Sequence, residues 1–373
     1  MILHLVSDHF ATNACLKIFE EKLPGQNKVL VFEHFGYKVN NGIIVKDKNA
    51  AEIAMQTDFK AVTHVVVSLL SRRKIHFIRK YVPANIPVVW WTYGADLYDN
   101  FLGIRGFEVS YSKPDRYRYF GQLTFPLIKV SRFFANFYFR YLQDKYVINR
   151  LAGFVPCIQP EYNLLRRYVK KDFSLIRIHS YGASYKFEGR YTEGKDIALG
   201  HSASITDNHL YALNILKKLD LGDAELYLTL SYSNRIPKYT EEVKRKYKET
   251  YGDKVHLIET MMPKDEYFQS QFRYKAMILP SWRQEALDNI YTCLQMGIKL
   301  ILSERSVVYR YLKEYGFMVF AIEQLTQECL DTPLEPEAQR HNQQLFEKFI
   351  EERKQNYYSD FEKYFMNTKN SNE

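Results

Sequence analysis

The fold is decided in the stretch Ala276-Met277-Ile278-Leu279-Pro280-Ser281-Trp282-Arg283-Gln284-Glu285-Ala286-Leu287-Asp288-Asn289. Its apolar start predicts a strand, its middle a polar turn, and the following run Ile290–Met296 a helix. Such a turn faces free backbone N–H groups and the positive end of the helix dipole, which together favour an anion. Arg283 adds a planar guanidinium suited to phosphate oxygens. Since the chain is basic and lacks a P-loop or metal-ligand spacing, this unit predicts a diphosphate ligand rather than a metal.

Length and composition indicate a folded protein with room for two domains. The chain has 373 residues, and its hydrophobic content of 46% excludes intrinsic disorder. The four cysteines are scattered without a CxxC motif, which predicts reduced thiols in a cytosolic protein. The run Met1–Asp8 lacks a basic region and a cleavage site, so it predicts a buried strand rather than a signal peptide. No apolar run approaches the length needed to span a bilayer.

The net charge is +9, and residues 105–150 carry nine Lys/Arg against three Asp/Glu, together with thirteen aromatic residues. One interpretation is a helix pair with a core face and a solvated face. We favour an anionic membrane surface as the partner of this segment, because Phe133–Tyr141 is aromatic nearly all round. Basic and aromatic residues also bind single-stranded nucleic acid. No nucleic-acid-binding motif is present, however, so no such partner is expected.

Short apolar strands alternate with amphipathic helices, which predicts parallel sheets with helices on both faces. In the first half the predicted strands are Met1–Val6, Lys28–Phe32, Ala61–Leu70, Pro87–Trp91 and Leu151–Cys157, and the predicted helices are Ala11–Leu23, Arg72–Tyr81 and most of 115–148.

The alternation restarts after a polar, glycine-containing stretch, 180–195, which we interpret as a linker. Predicted strands follow at Ile197–Gly200, Ala224–Leu230, Val255–Ile258, Ala276–Pro280 and Lys299–Leu302, with helices at Asn208–Leu219, Lys238–Thr250, Lys264–Gln271 and Asn289–Met296. The predicted fold is therefore α/β, with two Rossmann-like doubly wound domains, 1–190 and 191–330, facing a cleft. Helices in 331–373 are expected to pack back on the first domain.

Loops that follow the strands are the candidate ligand sites, because ligands of open α/β sheets bind outside the carboxyl ends of the strands. Several of these loops resemble one family, the bacterial transferases that add 4-acetamido-4,6-dideoxygalactose (Fuc4NAc) to the lipid-linked precursor of enterobacterial common antigen. The matching residues keep their order over roughly residues 1–315 and are Ser7-Asp8 with Asn13, the run Trp91-Thr92-Tyr93-Gly94-Ala95-Asp96-Leu97-Tyr98, Gly200-x-Ser202 followed by His209, Tyr232 with Tyr239-x-Glu241-Glu242-Val243, and Arg283-Gln284.

The resemblance implies a B-type (GT-B) glycosyltransferase at the cytoplasmic face of the inner membrane. Its C-terminal domain would bind a nucleotide-diphosphate sugar, a dTDP- or UDP-sugar, and its N-terminal domain a polyprenyl-diphosphate-linked oligosaccharide. The chain departs from the family where Ala203-Ser204 replaces a Gly-Asp pair and where Glu285–Asp288 replaces a glycine-containing turn. These departures concern the donor sugar and the acceptor, not the class of enzyme.

Candidate residues for the donor diphosphate and sugar are Gly200, Ser202, Arg283, Gln284 and Asn289. Arg283 would stabilise the leaving group as negative charge builds on it, or it pairs with Glu285 and has no ligand. Gln284 and Asn289 would orient phosphate or sugar hydroxyls, although Asn289 could also cap the helix. Glycine at 200 lets the backbone approach a ligand closely. Ser202 stays available to a phosphate if Thr206 or Asp207 caps the next helix.

Candidate residues for the nucleotide follow two other strands. Tyr232 would pack on the nucleotide, but with thirty tyrosines in the chain a structural role is the stronger interpretation. The loop Glu259-Thr260-Met261 would contact the base through its backbone.

Two aspartates are candidates for the catalytic base that an inverting transfer to a hydroxyl requires. Asp96 follows Gly94-Ala95 at a strand–helix turn, where it could equally cap the helix that begins at Leu97. Asp8 ends the first strand and has His9 beside it.

Inversion is favoured because the Glu-x7-Glu pattern of many retaining B-type enzymes is absent: Cys293 stands eight residues after Glu285. No Asp-x-Asp triplet occurs, so metal-independent transfer is expected, with arginine and a helix N-terminus neutralising the diphosphate. A nucleotide-sugar epimerase of the same fold and a non-catalytic nucleotide-sugar or lipid-binding subunit are the alternatives. The basic aromatic segment argues against the epimerase, because a small soluble substrate needs no membrane surface.

Overall fold

The computed structural model describes residues 1–9, 11–111, 125–178, 185–232 and 236–366, with the backbone alone at 125–133 and 358. The chain folds into two compact units. The first comprises Met1–Phe107, Pro126–Ser180 and Arg353–Glu373, and the second comprises Glu108–Phe125 and Tyr181–Glu352.

The first unit contains a seven-stranded sheet in which all described strand pairs are parallel. In spatial order its strands are β3 (Gly42–Ile44), β2 (Asn27–His34), β1 (Ile2–Asp8), β4 (His64–Ser68), β5 (Val88–Trp91), β6 (Leu151–Val155) and β7 (Ser174–Leu175). Every residue of β1, β4 and β5 is buried, as expected for strands covered on both faces.

Helices flank this sheet in the doubly wound manner. They are α1 (Thr12–Lys22), α2 (Ala50–Met55), α3 (Arg72–Tyr81), a π-helix (Asp96–Leu102), α4 (Phe125–Tyr146) and α5 (Pro160–Arg166). Helix α3 begins where Ser71 accepts a hydrogen bond from the backbone N–H of Lys74. It buries Ile75, Phe77 and Ile78, and its remaining face is basic.

The second unit contains a six-stranded sheet, again with all described pairs parallel. Its spatial order is β10 (Val255–Ile258), β9 (Leu226–Thr229), β8 (Asp196–Leu199), β11 (Tyr274–Leu279), β12 (Lys299–Leu302) and β13 (Phe320–Ala321). The helices are α6 (His209–Leu216), α7 (Pro237–Tyr251), α8 (Lys264–Gln271), α9 (Leu287–Met296), α10 (Val307–Tyr315), α11 (Gln327–Asp331) and α12 (Pro336–Phe361). The predicted fold class, two Rossmann-like doubly wound sheets, is confirmed.

The C-terminal helix α12 contributes to both units. Phe346 and Phe349 pack on Tyr291 of the second unit, with ring centroids 5.3 and 6.0 Å apart. In the first unit Phe361, at the end of the helix, lies 5.0 Å from the ring of Phe19. Asp360 there accepts hydrogen bonds from the Arg177 guanidinium at 2.7 and 3.0 Å.

Two segments that the sequence analysis singled out, 180–195 and 105–150, lie partly outside the described residues. Of the stretch interpreted as a linker, residues 180–184 lie outside the described residues, and the rest packs on the second unit. Tyr185 is buried, and Thr192 donates to the carbonyls of Phe272 and Tyr274. In the basic aromatic segment 105–150, residues 112–124 lie outside the described part, and helix α4 covers 125–146. No helix in the described part of the chain is long and apolar enough to cross a bilayer.

Candidate functional site

Strand β11 leads into the turn Ser281–Ala286 at the carboxyl edge of the second sheet. Ala286 has φ +58°, in the left-handed region, and helix α9 begins at the next residue. Its N-cap residue, Ala286, has no side chain that could cap this ten-residue helix. Its first backbone N–H groups and its dipole therefore face the turn, the geometry that favours an anion. Asn289 is half-buried inside the first helical turn, so it is not the cap residue.

Arg283 is paired with Glu285 through both arms of its guanidinium. The Nε–Oε1 distance is 2.8 Å and the Nη2–Oε2 distance 3.0 Å, and the two side chains are only 11% and 7% exposed. Ser281 donates to the same carboxylate at 2.6 Å. The sequence analysis left a pair of Arg283 with Glu285 open as an alternative to a ligand contact. The structure contains this pair, but it is buried rather than on the surface. It fixes the turn and offsets much of the arginine charge.

Asp207 organises the loop that follows β8. Its carboxylate accepts from the backbone N–H groups of His201 and Ser202, both at 2.8 Å, and lies 3.2 Å from His201 Nδ1. The other ring nitrogen of His201 is 3.6 Å from Glu285, so the loops after β8 and β11 share one buried charge network. The expectation that Thr206 or Asp207 caps helix α6 is wrong, because left-handed Asn208 precedes that helix.

Burial and charge pairing act in opposite directions on the pKa values of this network. Burial by itself lowers the pKa of His201, but the carboxylates of Asp207 and Glu285 outweigh burial, and the pKa is raised. Burial acts to raise the pKa values of Asp207 and Glu285, and the neighbouring cations overcome it, so both are lowered. The positive charge of Arg283, and that of His201 when it is protonated, thus oppose the negative charges of the two carboxylates.

Gly200 and Ser202 belong to this loop. Gly200 has φ +75°, and a Cβ there would lie 2.7 Å from His209 Nε2, so the glycine is required by the loop itself. Ser202 is fully buried, and its hydroxyl accepts from the backbone N–H of Ser204 at 3.2 Å. The structure therefore gives both predicted residues roles in holding the loop whose His201 faces Glu285.

Two buried polar atoms of the β11 turn have no hydrogen-bond partner within the described ranges. They are Nε1 of Trp282, a residue 2% exposed, and Oε1 of Gln284, a residue 9% exposed. A buried polar group without a partner costs about 1–3 kcal/mol, so such groups usually meet a ligand or water. The turn therefore offers a donor and an acceptor next to the open end of helix α9.

Arg305 is a further candidate residue, which the sequence analysis did not single out. It follows β12 in the loop Ser303–Ser306, and its guanidinium lies 3.8 Å from the ring centroid of Trp282. Glu323 holds this loop by accepting from Ser303 Oγ at 2.5 Å and from the Glu304 N–H at 2.9 Å. Arg305 is half-exposed, and its ion pair with half-exposed Glu108, at 3.1 Å, is of the weak surface kind. A second strand–turn–helix pattern with an arginine was the signal available in the sequence.

The predicted nucleotide residues follow β9 and β10 at the same edge of the sheet. Tyr232 is 43% exposed, and its ring lies 6.5 Å from that of His201. Glu259 pairs with Lys244 at 2.6 Å, while Thr260 and Met261 are exposed. Because β10 is the edge strand, this loop is two strands away from β8.

In the first unit Asp96 is fully enclosed. Its carboxylate accepts from Leu70 N at 2.8 Å, Trp90 Nε1 at 2.7 Å, Thr92 Oγ1 at 2.8 Å and Tyr93 N at 3.0 Å. The side chain has no exposed surface. These bonds tie β4, β5 and the π-helix together and favour the structural alternative over that of a base.

Asp8 and His9 lie at the end of β1. Asp8 accepts from the backbone N–H of Phe35, and from that of Gly36 at 3.4 Å, so it holds the loop after β2. His9 is partly exposed, with its ring 5.3 Å from that of Tyr93. Burial lowers the pKa of His9, and the nearby Asp8 only partly opposes this effect. His9 is thus neutral at pH 7, the state that a proton acceptor needs.

Lys74, another residue that the sequence analysis missed, lies below this edge. Its fully buried ammonium donates to Ser7 Oγ at 2.6 Å and to the Ser68 carbonyl at 2.7 Å, and it pairs with Glu33 at 2.8 Å. It lies on the buried face of helix α3, where the sequence pattern predicts apolar residues. Because the Lys74 ammonium has all these partners, it is a structural anchor for Glu33, which also accepts from Ser71.

In the described part of the chain, no cluster of three or more His, Cys, Asp or Glu could hold a metal ion.

The chain is similar in structure to several glycosyltransferases over almost its whole length. One is WaaG, a glycosyltransferase involved in lipopolysaccharide biosynthesis, at 12% identity and a TM-score of 0.56, covering 97% of this chain and 98% of that chain. Another is an α,α-trehalose-phosphate synthase (UDP-forming) from Burkholderia vietnamiensis, at 9% identity and a TM-score of 0.56, with the same coverage. Sucrose-phosphate synthase from Thermosynechococcus elongatus matches at 11% identity and a TM-score of 0.54, covering 97% and 99%. The likeness shows the GT-B fold.

No protein-family model matches the sequence, and no curated protein sequence is significantly similar to it.

Proposed function

We propose that the chain is a glycosyltransferase that moves an amino-deoxyhexose such as Fuc4NAc from a nucleoside diphosphate, dTDP or UDP, to a polyprenyl-diphosphate-linked saccharide. The observation that carries the proposal is the β11 turn. It combines a helix N-terminus whose N-cap residue, Ala286, has no capping side chain with two buried polar atoms that lack partners within the described ranges. The turn lies at the strand edge where ligands of such sheets bind. The GT-B fold and the resemblance over residues 1–315 agree with this assignment.

The donor diphosphate is assigned to the N-terminus of helix α9, with Arg305 as the cation beside it. Arg283 acts indirectly by fixing the conformation of the turn, because its guanidinium is already paired with Glu285 and is not available to the diphosphate. Gln284 and Asn289 face the sugar or phosphate oxygens, and Tyr232 with residues 259–261 serves the nucleotide. Backbone N–H groups and arginine stabilise the leaving diphosphate without a metal, as the sequence analysis expects.

In the transfer step the oxygen of an acceptor hydroxyl attacks the anomeric carbon. Its proton passes to a base, and the bond from the anomeric carbon to the diphosphate oxygen breaks with its electron pair on the nucleoside diphosphate. We assign the base to Asp8 or its neighbour His9 rather than to Asp96, whose carboxylate is buried and already accepts four hydrogen bonds. Loss of turnover with retained nucleotide binding in Asp8→Asn or in His9→Gln tests this assignment.

The membrane partner is proposed from the described end of the basic aromatic segment. On helix α4, Phe134 and Phe137 are 64% and 67% exposed, and Tyr138 and Tyr141 are about half-exposed beside them. Aromatic side chains with flanking Lys and Arg are suited to the interface of an anionic bilayer. The enzyme would thus act at the cytoplasmic face of the inner membrane, where a lipid-linked acceptor is accessible.

A thermal-shift panel with UDP, dTDP, GDP, CDP and their monophosphates tests the proposal. A ligand that binds only the native state raises Tm by mass action, and we expect a selective shift with one diphosphate. Transfer of sugar from the matching donor to a lipid-linked acceptor then separates a transferase from an epimerase, which converts the donor with no acceptor present. Failure of every nucleotide to shift Tm would contradict the donor site and favour the binding-subunit alternative.

A further inference from the structure

A groove of about 510 Å³ opens on the first unit between helices α3 and α4. Its floor is apolar and is formed by the buried side chains of Phe32, Phe77, Phe139 and Leu142. Helix α4 lines it at 135, 138, 139 and 142, which is the spacing of a single helix face. The volume lies within the roughly 300–1,000 Å³ typical of small-molecule sites, so the groove can hold a ligand and not only an ion.

Cations from helix α3 line one side of this groove. Arg72, Arg73 and Lys80 are exposed there, and Asp47 is the one carboxylate in the described lining. Three cations less one carboxylate leave a surplus of two positive charges, with His76 counted as neutral. A lipid diphosphate esterified at both ends carries two negative charges, whereas a phosphodiester lipid carries one. The charge of the groove therefore matches a diphosphate better than an ordinary phospholipid.

The arginines are held in place by groups that leave their charge intact. Arg73 donates to the backbone carbonyls of Phe32 and, at 3.1 Å, of Val45, while its carboxylate neighbour Asp47 is fully exposed and 4.0 Å away. Arg72 lies over the ring of Phe139 at 4.9 Å. Neutral carbonyls and an aromatic face orient a guanidinium without neutralising it, in contrast to the Arg283–Glu285 pair.

Helix α4 also carries the exposed aromatic side chains Phe134, Phe137 and Tyr141, next in sequence to the residues that line the groove. Arg79 ties the two helices together by donating to the Tyr138 hydroxyl at 3.1 Å. A site for a soluble anion needs no exposed phenylalanine beside it. A lipid with a charged head and an apolar chain needs both surfaces, one next to the other.

We propose that the groove binds an isoprenoid diphosphate, with the diphosphate on Arg72, Arg73 and Lys80 and the isoprenoid chain along the aromatic side chains of helix α4. The inference deepens the proposed function, on which its biological meaning rests, by assigning the diphosphate of the lipid-linked acceptor to named residues. Binding itself can be measured without sugar transfer.

The test uses the full chain and nanodiscs of zwitterionic lipid with or without a few per cent of a long-chain polyprenyl-diphosphate-linked sugar, whose diphosphate is esterified at both ends. We expect the diphosphate to increase binding, and Arg72→Gln/Lys80→Gln to weaken that binding roughly 10- to 30-fold, since each of the two cations contributes roughly fivefold at an anionic lipid surface. Arg72→Lys/Lys80→Arg should bind nearly as well as the native chain. The matched control is Arg167→Gln/Lys170→Gln, which removes two exposed cations of the same unit outside the groove.

Three results would overturn the proposal. They are equal weakening by the control variant, no weakening by the groove variant, and equal binding when phosphatidylglycerol of the same total charge replaces the diphosphate. The last result would show a diffuse attraction to anionic membrane. The nucleotide panel separates this inference from the donor site. Because the groove lies in the first unit, Arg72→Gln/Lys80→Gln should keep any nucleotide-induced Tm shift, and lipid binding can succeed even if no nucleotide binds.

Discussion

Two turns of the second sheet present an arginine after a buried strand and before a helix, and the structure uses them differently. After β11, Arg283 is buried and held through both arms by Glu285. After β12, Arg305 is half-exposed, rests on the Trp282 ring and has a surface pair with Glu108. The difference comes from Glu285, the carboxylate two residues after Arg283, since Val307 stands at the corresponding position after Arg305. An arginine at a strand end is thus a ligand candidate only where no neighbouring carboxylate has enclosed it.

Removal of the buried arginine should have the largest effect. We expect Arg283→Ala to lower the free energy of unfolding by about 3–5 kcal/mol, because Glu285 would keep a buried charge without its main partner. Turnover should fall with it, since the turn that positions helix α9 loses its tie. Chemical denaturation monitored by circular dichroism, together with a turnover assay, measures both quantities.

The double variant Arg283→Ala/Glu285→Ala is the matched control, because it removes the orphaned charge and should recover part of the stability. An Arg283→Ala protein that is as stable as the native chain but binds nucleotide more weakly would contradict the structural role given to Arg283. It would make Arg283 the direct contact of the diphosphate that the sequence first indicated.

How far the sequence predicts this molecule depends on the range of the interactions involved. Both sheets could be predicted because β1, β8, β11 and β12 are largely apolar and are flanked by turn residues. The short edge strands β3, β7 and β13, of two or three residues, carry too little pattern to recognise. Helix α10 was missed as well, because only Val307, Val308 and Leu312 mark its buried face.

The candidate site residues stay a prediction, and the structure adds the contacts that the sequence does not encode. Strand ends locate the loops at 200–202 and 281–289, and the structure joins these two loops through His201, Asp207 and Glu285. Asp207 takes its role from the way its loop folds back on β8, which no local pattern encodes. The sequence leaves Asp96 as either a base or a structural group, and its four hydrogen-bond donors, on three segments, favour the structural role.

Removal of the exposed arginine should have a smaller effect of a different kind. We expect Arg305→Ala to weaken binding of the preferred nucleoside diphosphate roughly 10- to 100-fold, the scale of one charge-assisted hydrogen bond to phosphate. Stability should change by less than about 0.5 kcal/mol, as for other surface substitutions. Isothermal titration calorimetry with the diphosphate and the corresponding monophosphate gives the affinities.

Arg310→Ala is the control for this variant, because Arg310 is exposed on the neighbouring helix α10 and its loss changes the net charge equally. Equal weakening by both variants would show a long-range charge effect and leave Arg305 without a specific role. Loss of affinity for the diphosphate but not for the nucleoside would place Arg305 on the phosphates, as proposed.

The smallest expected effect concerns the pH dependence of the buried network beside Arg283. A histidine whose pKa is raised by folding stabilises the protein fully below its unfolded pKa of about 6.5, and that contribution is lost as pH rises through the folded value. His201 has such a raised pKa. The stability difference between the native chain and His201→Gln should therefore be larger at pH 6 than at pH 9, by an amount on the order of 1 kcal/mol.

The difference between the two proteins isolates His201 from its neighbour His209, whose pKa burial lowers and whose contribution therefore has the opposite sign. Urea denaturation at pH 6 and pH 9 provides the four free energies of unfolding. A stability difference that does not change between these pH values would mean that His201 is not charged in the native protein. Arg283 would then face Asp207 and Glu285 as the only cation of the network in the described part of the chain, and the turn after β11 would be more negative than that after β12.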